Sequence, residues 1–166
     1  MKRIITIILL TLLSLTLVAA EGNPLDALEI NITDLSEQEI IDLQKATIKE
    51  NLDTLKEVFN TGESEIPGLI EKVFGNERVA IYLEDGYTFG VVLDDGKILE
   101  FKEGKVSNPG INIYITNQLF IDSNAGDVDL VKSLGTKDIR IEGVGFFKKI
   151  KVGTIISMIK VLSIFN

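Results

Sequence analysis

Three groups of residues have the types and spacing that chemistry uses. Gly143-Val144-Gly145 stands between an alternating run and an apolar tail, where a dinucleotide-binding turn would stand. That chemistry needs a third glycine, but Lys148 occupies its place, and neither a second strand nor an acidic residue about 20 positions on follows. What is left is a tight strand-to-helix turn in which glycine supplies positive φ or close approach. Asp122, Asn124, Asp127 and Asp129 resemble half of a calcium loop. Gly126 fills its fifth position, however, Asp127 its sixth, and Ser133 the twelfth, where a bidentate glutamate belongs. Asp127 is better read as the cap of the next helix. The carboxylate pairs Glu84-Asp85 and Asp94-Asp95 stand at hairpin turns, whereas glycoside hydrolysis needs two carboxyls facing each other across a cleft. Cys and His are absent, which excludes thiolate and imidazole metal sites and the nucleophile and base pairs built on them. The reading is a protein with no enzyme activity, no cofactor and no metal.

The elements that position these residues follow from periodicity. Ser36 and Glu39 form a capping box, and Ile41, Ile48, Leu52, Leu55 and Phe59 recur at helical spacing, which predicts one helix from Glu37 to Asn60. A second, shorter helix is expected from Ile66 to Gly75, with Pro67 near its start. The period then becomes two. Val79, Ile81 and Leu83 alternate, Asp85-Gly86 turns, Tyr87, Phe89, Val91 and Leu93 alternate, and after Asp94-Asp95-Gly96 a third strand runs from Ile98 to Lys102. INIYIT is a fourth strand, followed by helical signals at Leu119 to Ile121, a short helix DVDLVKSL ended by Gly135, a fifth strand IRIEG, and a last helix from Phe146. The fold class is α+β: a five-stranded, mainly antiparallel sheet covered by helices.

Both ends of the chain are apolar. Lys2 and Arg3 precede an uncharged run from Ile4 to Ala20, and Val18 and Ala20 are small residues suited to cleavage before Glu21. Residues 1–20 read as an export signal or an uncleaved membrane anchor, residues 21–65 as linker and amphipathic helix, and residues 66–166 as the main domain. Both readings of the N-terminus place the rest outside the cytoplasm, secreted or tethered to the membrane's outer face. Residues 21–139 carry 24 acidic and 10 basic side chains, while Arg140, Lys148, Lys149, Lys151 and Lys160 stand against Glu142 in the remainder. The acidic body argues against nucleic acid, and the basic tail suits an anionic lipid surface or the body itself. From Val152 to Phe165 only Lys160 is charged, so the helix is apolar almost all round, yet 14 residues rise only about 21 Å. It can close an apolar cavity, pack as a plain core helix, or lie in a membrane interface with Lys148, Lys149 and Lys151 at the head groups.

Taken in order, the helix near Ile66, the meander, the NPGINIYIT strand, the helix ending VKSLG and the run IRIEGVGFFKKI before an apolar helix resemble the sterol carrier protein 2 family. The resemblance spans residues 66–162 and implies a five-stranded sheet with a lipid-sized cavity, often closed by the C-terminal helix, that binds sterols or fatty acyl chains without catalysis. On this chain the implied lining is Phe89 and Val91 from the sheet with Phe147, Ile155, Met158, Ile159 and Leu162 from the tail. The implied partner is a lipid or other hydrophobic small molecule. The competing expectation is a membrane-associated protein-interaction module with the same fold, a filled core and no ligand.

Overall fold

The computed structural model describes residues 35–61, 75–124 and 130–164, with a few side chains within the helices outside that description. The signal or anchor segment, the helix expected from Ile66 to Gly75 and the Asp127 cap lie wholly or mainly outside the described residues.

The first helical stretch starts as the sequence predicts. The Ser36 hydroxyl accepts from the Glu39 N–H while the Glu39 carboxylate accepts from the Ser36 backbone and hydroxyl, closing the box at both ends. The single helix expected through Asn60 is instead two, α1 (Glu37–Glu50) and α2 (Leu52–Thr61), broken at Asn51. The Asn51 side chain donates to the Thr47 carbonyl at 2.8 Å and its N–H to the Ile48 carbonyl at 3.1 Å. Asparagine competes for backbone groups in this way, and a helix breaks where it succeeds. Ile41, Ile48 and Leu55 are buried on one side, as their spacing requires.

Strands β1 (Arg78–Leu83), β2 (Thr88–Asp94) and β3 (Lys97–Glu103) form the antiparallel meander. Asp95 and Gly96 both take positive φ, 48° and 74°, which is the two-residue turn whose twist matches a hairpin. Strand β4 (Ile111–Ile115) returns parallel to β1, and β5 (Ile139–Gly143) pairs antiparallel with β4, giving the order β3-β2-β1-β4-β5. Between β4 and β5 lie α3 (Asn117–Asn124) and α4 (Leu130–Thr136). Helix α4 runs through Gly135 rather than ending there, and Lys137 takes the left-handed conformation at φ 69°.

In-register pairing sets the two faces. Val79, Ile81 and Leu83 align with Ile111, Ile113 and Ile115, and with Phe89 and Val91 on the other side, so one face is a continuous buried apolar layer. Helix α2 packs against β3 at one edge and the last helix, α5 (Phe146–Ile164), packs against β5 at the other. The edge strand β3 is also covered through its backbone. The Asn60 side chain donates to the Ile98 carbonyl at 2.9 Å and accepts from its N–H at 2.8 Å, filling bonds that an added strand would use.

The glycine pair of the opening motif has two separate jobs. Gly145 sits at φ 88°, in open space, and turns the chain. Gly143 faces the Lys148 and Lys149 backbone so closely that a Cβ has no room. Gly143→Ala therefore forces α5 off β5 and costs about 2–3 kcal/mol, as overpacking does. Gly145→Ala adds only local strain of about 1–2 kcal/mol. Urea denaturation of both variants checks the order; equal costs would refute the close-approach account.

Candidate functional site

The candidate site is the apolar face of the sheet, which the helices cover. Phe89 and Val91, the two sheet residues expected to line it, are both buried there. The Phe89 ring meets Tyr87 edge-on at 5.1 Å and Phe101 at 6.0 Å. The tail residues Ile155, Met158, Ile159 and Leu162 fall on α5, but their side chains lie outside the described residues. Phe147 is a correction: it is 84% exposed and points away from the interior. The reason is helical phase. Val152, buried against the core, is five residues on, and about 100° per residue puts the two some 140° apart.

The three lysines do not act alike either. Lys148, expected at a membrane surface, reaches back to the carboxylate of Glu77, which is only 9% exposed, just before β1. Their salt bridge crosses Gly110, where any side chain would collide with both. The Gly110 N–H donates to the Arg78 carbonyl at 2.7 Å and its own carbonyl accepts from Val144 at 2.8 Å, so this glycine joins β1 to the turn before α5. Basic tail thus meets acidic body at one buried carboxylate. Lys149 and Lys151 remain exposed.

On the opposite side α1 is clamped to the β1–β2 turn and to the end of β3. Lys45 pairs with Asp85 and lies 5.2 Å over the Tyr87 ring, while Lys49 pairs with Glu103 at 2.9 Å. Tyr87 donates to Glu103; burial first, and that carboxylate second, push its hydroxyl up to about 12. Hydrogen bonds from Lys49 and Tyr87 hold Glu103 below the usual carboxylate range. Burial works to raise Asp85, but the bond from Lys45 and the Tyr87 N–H outweigh it and leave it lowered. On the same helix Gln44 is buried with its side-chain oxygen unpartnered, a polar atom in an apolar setting.

The outer face of the sheet has its own order, which sequence reading missed. Lys105 lies 5.0 Å over Tyr82, Tyr82 stacks on Tyr114 at 5.0 Å, and Arg140 covers Tyr114 at 4.2 Å while pairing with Glu142 at 3.1 Å. Lys105 and Arg140 thus each have an aromatic or acidic partner on this side. Alternation placed these residues outward, but only the register brings the two tyrosines opposite each other. Among the described residues no group of His, Cys, Asp or Glu gathers as a metal site, and no helix is long and apolar enough to cross a membrane.

No protein family profile matches this chain, and no curated protein does. Among solved structures, sterol carrier protein 2 domains recur. The sterol carrier protein domain 2 of Helicoverpa armigera is 16% identical over 67% of this chain and 88% of its own, with a TM-score of 0.41. Palmitated SCP2L2 from Aedes aegypti is 15% identical over 66% of this chain and 85% of its own, at 0.38. The sec-alkyl sulfatase PisA1, an enzyme of Pseudomonas sp., also matches at 0.41 and 15% identity over 63% of this chain, which spans only 15% of that enzyme.

Two measurements check the charge arrangement. Lys148→Ala leaves the Glu77 carboxylate buried without its partner and destabilises by about 2 kcal/mol, read by thermal or urea unfolding. Acid should loosen the α1 clamp. Asp85 and Glu103 have lowered folded values, so their stabilisation is complete above the ordinary carboxylate range and is lost as pH falls below about 4. In Asp85→Asn/Glu103→Gln the stability curve should flatten in that window; an unchanged acid limb would refute the assignment.

Proposed function

We propose that this chain is a non-enzymatic lipid-binding protein that holds an apolar chain between the sheet and α5. The observation that carries the reading is the circumference of α5. From Val152 to Ile164 it is apolar almost all round, with Lys160 the one charge, while its main packing partners, β5 and α4, take one flank. A helix apolar on every side needs apolar neighbours on every side. A bound acyl or sterol body lying along Phe89 and Val91 supplies one, with Ile155, Met158, Ile159 and Leu162 as the wall and thioether of the cover. Burying a chain is worth about 0.8 kcal/mol per methylene, so a dozen methylenes give affinity without polar contacts. Export, signalled by Lys2, Arg3 and the run from Ile4 to Ala20, puts this binding outside the cytoplasm in the proposal.

Mass spectrometry of lipids released from protein purified from its native host tests the reading. The expected result is a near-stoichiometric acyl or sterol lipid. Protein that carries none, and that binds no fluorescent fatty acid, would leave the filled-core interaction module in its place. Truncation after Val152 should cost at least roughly ten-fold in ligand retention, since it removes most of the apolar wall. Retention equal to that of the full chain would sink the lid role of α5.

A further inference from the structure

The start of α5 carries a surface that the interior reading does not use. Phe146 is 73% exposed, Phe147 84% and Ile150 55%, and Val144 in the preceding turn is exposed as well. Phe146 and Ile150 are four apart and share one line of the helix, and Phe147 meets Phe146 edge-to-face at 5.6 Å. At about 100° per residue Lys149 and Lys151 fall on the two flanks of that line, and both are exposed. The result is an aromatic wedge between cations on the outward side of a helix whose inward side is fixed by Val152 and the Glu77–Lys148 pair.

We propose that this wedge docks the protein on an anionic bilayer, with Phe146, Phe147 and Ile150 in the acyl boundary and Lys149 and Lys151 at the head groups. Two observations favour that occupant. Residues 140–166 are net +4 while residues 21–139 are net −14, so anionic lipid attracts this end of the molecule and repels the rest. A second copy is a poor seat. Among the described residues Leu99 is the one large exposed apolar side chain outside the patch, and patch against patch would set lysines against lysines. Amphipathic helices with aromatic and leucine-type side chains on one side and lysines beside them lie in interfaces for this reason. The docking is independent of whether a lipid chain occupies the interior.

The chain has no cysteine, so a single introduced one takes a label without ambiguity. Thr154→Cys, one turn past Ile150 on the exposed side, and Glu100→Cys, on the outer face of the sheet, each carry a polarity-sensitive fluorophore on the full chain. With vesicles of phosphatidylglycerol and phosphatidylcholine, the label at 154 should shift to the blue and become shielded from an aqueous quencher, and the label at 100 should not. Phe146→Ser/Phe147→Ser should weaken the shift by roughly ten-fold or more, and Lys149→Glu or added salt by a few-fold, with unchanged circular dichroism. Three results would overturn the proposal. One is a label at 154 that stays open to quencher while the chain sediments with vesicles, as binding through the N-terminal run alone would give. Another is shielding at 154 before vesicles are added, which would mean that the chain or a second copy already covers the patch. The third is equal immersion in pure phosphatidylcholine with no effect of salt.

Discussion

The close seating of α5 on the end of β5 is the constraint on which the remaining architecture depends. Gly143 leaves no gap between strand and helix backbone, Gly145 turns the chain at φ 88°, and within one turn Lys148 is delivered to Glu77. That sequence of contacts fixes the rotation of α5 about its own axis. Once Lys148 and Val152 face inward, Phe146, Phe147 and Ile150 have to face out. The partly buried ion pair is a poor source of net stability by itself, because desolvating Glu77 offsets much of the attraction. Its effect is on register: a helix slipped by one residue would strand a carboxylate and bury a phenylalanine against polar backbone.

The two edges of the sheet are therefore held by different physics. At the β5 edge a glycine contact and one ion pair set the helix, and the neighbours are apolar. Toward the β3 edge α1 and α2 are tied by polar side chains, with Lys45 gripping Asp85 in the β1–β2 turn, Lys49 gripping Glu103 at the end of β3 and Asn60 bonding the Ile98 backbone. Polar clamps demand specific geometry, whereas apolar contact tolerates sliding and repacking. Both edges are thus pinned by specific contacts, and what stays adaptable is the apolar packing between them.

Much of this was legible because it is local. The Ser36 box, the Asp95-Gly96 turn and the alternation in β1, β2 and β4 each depend on residues within a few positions of one another, and each stands as the sequence predicts. What was hidden is what depends on distance or phase. Parallel pairing of β1 with β4 joins segments some thirty residues apart, and the Glu77–Lys148 pair spans 71. Nothing in either segment alone names its partner. The break at Asn51 was open to reading, since asparagine is a weak helix former, but a seven-four-three-four apolar spacing carried straight through it. Phe147 was misassigned for a related reason. In a tail that is apolar nearly all round, periodicity does not say which side is inside, and only Gly143, whose meaning lies in backbone contact, could have set the phase.

That ambiguity is itself informative about the tail. A helix on the surface of a core has one apolar stripe, and a helix that lies only on a membrane has one as well. A tail with apolar residues on both sides is over-supplied for either role taken alone. The described residues place part of that supply: the first turns expose Phe146, Phe147 and Ile150 beside Lys149 and Lys151, while Val152 is buried. If the outward turns rest in an interface and the inward ones cover an apolar interior, one helix connects the two lipid environments. The same residues that hold the protein at a bilayer are then joined, by less than two turns of rigid backbone, to those that would open and close over a lipid taken from it. A filled-core module held at a membrane would use the outward turns alone, so it is the apolar run past Val152 that separates the two readings.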